Sequence, residues 1–220
     1  MVRVGLIDSG VSAEQARHVD NERRFVGARG NRGRVHPDLL GHGSQIAQCV
    51  LEHCTGARLV VAQIFGIGRE AAVDCVSEAI DWLVREHVQI INMSFGIAGP
   101  NAGLERACRE AAGRGVVLVA SSPARGLRVF PAGYEECIAV SGDARCAPGE
   151  YAWLDTETAD FGTHPMLIAN CPDCGGGASI AAARMSGLVS RLLMSGAAAA
   201  DVRQLLQRSA HYIGPECRRA

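Results

Sequence analysis

Short apolar runs alternate along this chain with longer stretches in which apolar residues recur every three to four positions, and that alternation leaves few folds open. Val2 to Ile7, Leu59 to Ile64, Gln89 to Met93, Val116 to Ala120 and Cys137 to Ser141 are five or six residues long, the length and make-up of buried strands. Between them lie amphipathic helices. From Gly41 onward Ile46, Ala47, Val50, Leu51 and Cys54 fall on one face; within Ala71 to Val88 so do Val76, Ala79, Ile80, Leu83 and Val84. Leu104 to Gly113 and Ala200 to Ala210 continue the pattern, the latter turning Val202, Leu205, Leu206 and Ser209 inward. Strands alternating with helices predict an α/β fold, doubly wound, with a mostly parallel sheet and helices on both faces. No repeat or linker interrupts residues 1–220, so one domain is expected.

Other stretches carry less pattern. Asn21 to Arg34, with five arginines and three glycines, is expected to be a surface loop, and Asp160 to Gly175 is expected to be irregular beside the last long helix. No run of about 18 apolar residues is present to span a membrane, and the apolar start is too short for a secretory signal. A formal charge of −1 gives no reason to expect nucleic acid or a membrane surface as partner. The expected location is the cytoplasm. Nine cysteines are spread through the predicted helices and strands, as reduced thiols filling a core would be. Cys171 and Cys174 form a C-x-x-C pair, for which three roles stay open: zinc binding completed by Cys146, His164 or Cys217, a disulfide, or two loop thiols. No cofactor and no metal is otherwise called for.

Three places at strand ends or helix starts carry chemistry. Asp8 closes the first strand, His42 begins the helix after Gly41, and Ser179 follows Gly176-Gly177-Ala178 into a helix of small residues. Ligands of open α/β sheets bind at the carboxyl ends of the strands, so the three can meet at one edge. A serine hydroxyl becomes a nucleophile when an imidazole takes its proton, and a carboxylate holds that imidazole in the productive tautomer.

These stretches resemble the subtilisin-like serine proteases. Leu6-Ile7-Asp8-Ser9-Gly10-Val11 is similar to the family's aspartate motif, Gly41-His42-Gly43-Ser44-Gln45-Ile46-Ala47 to its histidine motif, and Gly177-Ala178-Ser179-Ile180-Ala181 to its serine motif. Ile90 to Gly96 resembles the family's substrate-binding strand, and Phe130 to Tyr134 with Ile138 to Ser141 resembles its Tyr-Pro-Ala segment and following strand. The resemblance implies Ser179 as nucleophile, His42 as general base and then acid, and Asp8 as the group orienting the imidazole. It implies Ser94, Phe95 and Gly96 as the segment that pairs with an extended substrate, and the Ser179 backbone N–H as one oxyanion donor. His36, in a His-Pro-Asp-Leu turn, is assigned to structure, and His53 and His87 to the surface.

The chain also departs from the family. Pro123 stands where an asparagine usually supplies a second oxyanion donor: either Ser121, Ser122 or a residue from another loop replaces it, or the enzyme is slow. Ala183 and Arg184 replace a proline-histidine pair. With its short length and the absence of a pro-segment ahead of the aspartate strand, this resembles subtilases that cut leader peptides from modified peptides. The expected function is therefore a serine endopeptidase processing one leader-bearing peptide or protein partner. The alternative is a catalytically inactive subtilase-fold scaffold that binds a peptide; a third, metal-dependent, reading rests on Cys171 and Cys174.

Overall fold

The computed structural model describes residues 1–27, 33–66, 70–171 and 175–216. Its strands are β1 (Arg3–Asp8), β2 (Val19–Arg24), β3 (Arg58–Gln63), β4 (Ile90–Met93), β5 (Val117–Ser121), β6 (Cys137–Gly142), β7 (Tyr151–Trp153), β8 (Phe161–Thr163) and β9 (Tyr212–Ile213). They form one sheet in the order β2-β3-β1-β4-β5-β6-β8-β7-β9. Every neighbouring pair is parallel except β7 against β8. The helices are α1 (His42–His53), α2 (Val73–Arg85), α3 (Ala102–Gly113), α4 (Ala178–Met194) and α5 (Val202–Arg208).

The two faces of the sheet bury separate cores. Alternate side chains of the central strands meet α1, α4 and α5 on one face, through Ile46, Val50, Ile180, Val189 and Leu206. The other set meets α2 and α3, through Ile80, Trp82, Leu83 and Leu104. Parallel strands buried on both faces need apolar residues at every position, which is why the five runs were legible as strands.

The connection leaving β1 through α1 leads to β3 on one side of it, and α2 then leads to β4 on the other. The strand order thus reverses about β1, and Asp8 lies at the carboxyl end of that reversal, where open sheets place their sites. α4 is buried along Ile180 to Ser190, and its small side chains let α1 lie close. A Cβ on Gly187 would come within 2.6 Å of the His53 Cβ and 2.8 Å of the Val50 carbonyl.

The stretch from Asn21, expected as a loop, instead begins within edge strand β2. After Val19 the strand's side chains are polar, so no apolar alternation marks it; Arg23 lies over the Trp82 ring at 5.0 Å, and the Phe25 ring lies beside the same indole at 5.7 Å. Residues 28–32 of that stretch lie outside the described residues. The Asp160 to Gly175 stretch likewise contains β8, too short at three residues to show a period. His53, expected on the surface, has both ring nitrogens buried. Burial, and then the Arg184 charge, lowers its pKa.

Six described cysteines, Cys49, Cys54, Cys75, Cys108, Cys137 and Cys146, are buried free thiols. Burial pushes Cys49 and Cys146 up to about 12, so both are inert core groups. Cys171 is disulfide-bonded; Cys174 and Cys217 lie outside the described residues. Among the described residues, no group of three or more His, Cys, Asp or Glu side chains is arranged to hold a metal ion. His164 turns Nδ1 to the Cys146 carbonyl at 2.8 Å. No described helix is long and apolar enough to cross a membrane.

Candidate active site

Asp8 is fully buried at the end of β1, and His42 is the first residue of α1, two elements joined through the same sheet edge. The imidazole Nδ1 meets Asp8 Oδ1 at 2.8 Å and Oδ2 at 3.0 Å. An ionised carboxylate accepts only, so Nδ1 carries the proton and donates, leaving Nε2 as the basic nitrogen. The His42 side chain is 31% exposed, enough for Nε2 to face an incoming group while Asp8 stays dry.

What fixes this pair is a network that the motifs did not reveal. Asp38 places Oδ1 within 3.2 Å of the Leu40 N–H and 2.9 Å of the Gly41 N–H, and Oδ2 within 2.8 Å of the Ser44 N–H and 2.6 Å of its hydroxyl. The Ser9 hydroxyl donates to Asp38 Oδ1 at 2.8 Å and accepts the Gly43 N–H at 3.0 Å. Two of the N–H groups that the start of α1 leaves without helical partners are thereby satisfied from outside it. The carboxylate also sits at the positive end of the helix. Asp38 had a sequence signal, an acid shortly ahead of an apolar helical run. Gln63, buried at the end of β3, gives its amide to the Ser9 carbonyl at 2.7 Å and the His36 carbonyl at 2.9 Å, and accepts the His36 N–H at 3.0 Å. His36 is structural through its backbone.

Burial alone would raise the Asp38 pKa, but the hydrogen bonds from Ser44, Ser9 and Gly41 outweigh it and hold the pKa below the ordinary 3.8. A depressed folded pKa contributes stability above the unfolded value, lost as pH falls through the folded one. Asp38→Asn is therefore expected to cost about 1–3 kcal/mol at pH 7, because the amide keeps one acceptor oxygen but turns an NH2 toward donors that the carboxylate had satisfied. That difference shrinks as pH falls below about 4. Urea unfolding at pH 7, 4 and 3 checks it; a pH-independent difference would contradict the charged cap.

Ser179 lies in the first turn of α4, where backbone N–H groups have no intrahelical partner. Gly177 enters that turn at φ 110°, a left-handed conformation suited to glycine. The Ser179 hydroxyl donates to the Ser94 carbonyl at 3.0 Å, and the Ser94 hydroxyl donates to the Ser179 carbonyl at 3.1 Å. Asn92 in β4 donates to Ser94 Oγ and accepts from Ser186 Oγ, both at 2.9 Å, so buried polar groups join β4 to α4. The serine and the segment after β4 are thus held together at the same carboxyl edge as Asp8 and His42.

Beyond Ser94, Phe95 is half-buried and Gly96 exposed, and among the described residues no strand pairs with either. Strand-like pairing resumes at Ile97, which exchanges backbone bonds with Phe130. Of the two serines at the end of β5, Ser121 is paired in the sheet against Val140, and Ser122 donates its hydroxyl to the Thr158 carbonyl at 2.5 Å. That bond occupies the one hydroxyl proton Ser122 could have offered an oxyanion.

Arg184, which departs from the family pattern in sequence, is 3% exposed. Its guanidinium donates to the Met166 and Leu167 carbonyls at 2.8 and 3.0 Å and lies 3.8 Å from Glu52. The segment it holds pairs with the approach to Ser179: Met166 bridges Gly176, and the Gly177 N–H donates to the Pro165 carbonyl at 2.8 Å. Nothing in sequence marks a buried arginine whose partners are carbonyls of another segment.

A carboxylate-oriented imidazole and a helix-terminal serine on one edge of a parallel sheet make this a subtilisin-type α/β protein. The subtilase family model (Peptidase_S8) matches residues 1–218, and the chain belongs to that family. It is 27% identical to subtilisin BL of Lederbergia lenta over 150 residues, covering 63% of this chain and 54% of that one. It is 25% identical to alkaline elastase YaB of Bacillus sp. (strain YaB) over 205 residues, 86% of this chain and 53% of the other. The chain spans about half the length of these curated relatives. Among solved structures, a lanthipeptide protease superposes with a TM-score of 0.72 at 18% identity, covering 96% of this chain and 80% of that one. The epidermin leader peptide processing serine protease from Staphylococcus aureus gives 0.69 at 14%, covering 93% and 68%. At these identities the superpositions bear on fold alone.

Proposed function

We propose that this subtilase is a serine endopeptidase that removes a leader from one peptide or protein partner. The observation that carries the reading is the 2.8 Å bond from His42 to buried Asp8, on the sheet edge that also holds Ser179. Ser179 Oγ leaves the Ser94 carbonyl, passes its proton to His42 Nε2 and attacks the scissile carbonyl. Asp8 holds the resulting imidazolium. The oxyanion is met by the Ser179 N–H at the positive end of α4, and His42 returns the proton to the leaving amine. Water then enters by the same path and releases the acyl group. Pro123 and Ser122 supply no second donor; unless Ser121 or another loop provides one, turnover runs about a hundred- to a thousand-fold below that of a two-donor site. Such a rate suits a single cut in a single partner.

The unpaired backbone of Phe95 and Gly96 is the edge on which an extended peptide adds a strand. Leader removal is supported by the name of one fold neighbour, an epidermin leader peptide processing serine protease; another is a lanthipeptide protease. In its departures from the family pattern at Pro123, Ala183 and Arg184 the chain also resembles the leader-cleaving subtilase that accompanies quinohemoprotein amine dehydrogenase. Cytoplasmic location belongs to the same proposal: the six buried free thiols suit a reducing compartment, the Cys171 disulfide being the exception among the described cysteines.

The test is a fluorophosphonate. The wild-type protein is expected to be labelled at Ser179, located by mass spectrometry. A folded sample that takes no label, yet binds a peptide and yields no product over a day, would replace the protease with the peptide-binding scaffold.

A further inference from the structure

The arginine-rich stretch from Asn21 has no part in the chemistry above, yet Arg24 within it lies beside the site. Ser9, Arg24, His36, Leu39, Gln63 and Phe65 line a cavity of about 280 Å³. That is roughly nine times the volume a liquid water occupies, and below the range of drug-sized ligand sites, so it has room for about one side chain. Ser9 adjoins Asp8, and Phe65 meets the Phe95 ring edge-on at 5.8 Å. The cavity therefore lies between the Asp8 turn and the segment assigned to substrate pairing.

Its lining is one-sided in charge. Half-buried Arg24 has no carboxylate partner among the described residues, whereas Arg3, Arg58, Arg145 and Arg203 each have one. Glu22, two residues before Arg24 on β2, is exposed and makes no ion pair among the described residues; Asp38 is directed to the start of α1, and Asp8 is buried against His42. Gln63 has its amide engaged by Ser9 and His36, so it gives the cavity a fixed floor. Leu39, a large apolar residue 65% exposed, and half-buried Phe65 offer cover for a short methylene stem. A partly desolvated guanidinium beside apolar walls is matched by a carboxylate on a short chain.

We propose that this cavity takes an acidic side chain of the substrate peptide, aspartate or glutamate, with Arg24 as its charge partner. The inference rests on the peptide-substrate reading and adds the substrate's charge. The probe is a peptide library in which each position in turn is held as Glu, Gln or Arg, passed over immobilised Ser179→Ala protein and over the Ser179→Ala/Arg24→Glu double variant. Retention at one position is expected to favour Glu over Gln by roughly ten- to a hundred-fold, the range for a hydrogen bond to a charged group, and to reverse toward Arg in the double variant. Arg24→Gln, which keeps a polar side chain on the edge strand, is expected to abolish the preference without reversing it. An unchanged preference in all three proteins, or none in the first, would overturn the assignment. Because retention needs no cleavage, the result stands apart from fluorophosphonate labelling of the otherwise wild-type chain, whose failure would strike the protease reading alone.

Discussion

Ser179→Ala is expected to leave the fold intact and to lower cleavage by about a million-fold, the loss in turnover when subtilisin's own serine or histidine is removed. The fold survives because the hydroxyl makes one bond, to the Ser94 carbonyl, and a single such bond is worth about 1 kcal/mol. The bond from the Ser94 hydroxyl to the Ser179 carbonyl remains, as do the Asn92 links to α4. Activity has no such reserve, since without Oγ there is no acyl-enzyme and only the residual effect of binding and the Ser179 N–H persists. Asp8→Asn should fall less far, by about ten-thousand-fold, because the serine stays but the imidazole takes the wrong tautomer. Turnover on the cognate peptide and fluorophosphonate labelling rate measure both. Equal cleavage by Ser179→Ala and wild type would remove Ser179 from the mechanism.

The central half of the molecule could be read in advance because its strands are buried on both sides. β1, β3, β4, β5 and β6 lie within a residue or two of the apolar runs that announced them. The edges are another matter. β2 is polar after Val19, and β7, β8 and β9 have two or three residues each, so pairing creates them more than local preference does. The site divides the same way. Asp8, His42 and Ser179 stand at boundaries that punctuation by glycine exposes. Asn92, Ser186 and Arg184 do their work through partners in other segments; Ser186 and Asn92 are 94 residues apart. Such bonds leave no period in the chain, and the buried polar residues they satisfy look locally like interruptions of the core.

Gly43→Ala is expected to damage fold and chemistry together. Gly43 is the second residue of α1, and a Cβ built there runs into the Gly10 carbonyl oxygen. Neither side can retreat cheaply. Gly10, at φ 111°, turns the chain out of β1, while α1 is pinned by Asp38 at its start and packed on α4 at Gly187. Overpacking in a core costs about 1–3 kcal/mol, and a collision with backbone falls at the upper end, about 3 kcal/mol in urea unfolding. The relief available is for the first turn of α1 to move away from β1, taking His42 from Asp8. A displacement near 1 Å lowers turnover by about a hundred-fold, with KM little changed because Phe95 and Gly96 are untouched. Gly41→Ala supplies the contrast: its Cβ meets nothing within 4 Å, and at φ 70° it bears only left-handed strain of about 1–2 kcal/mol, so labelling at Ser179 should persist. If both variants lost labelling equally, position 43 would hold no special place beside the Asp8–His42 pair; if Gly43→Ala matched wild type, the close approach of α1 to Gly10 would not be what sets their distance.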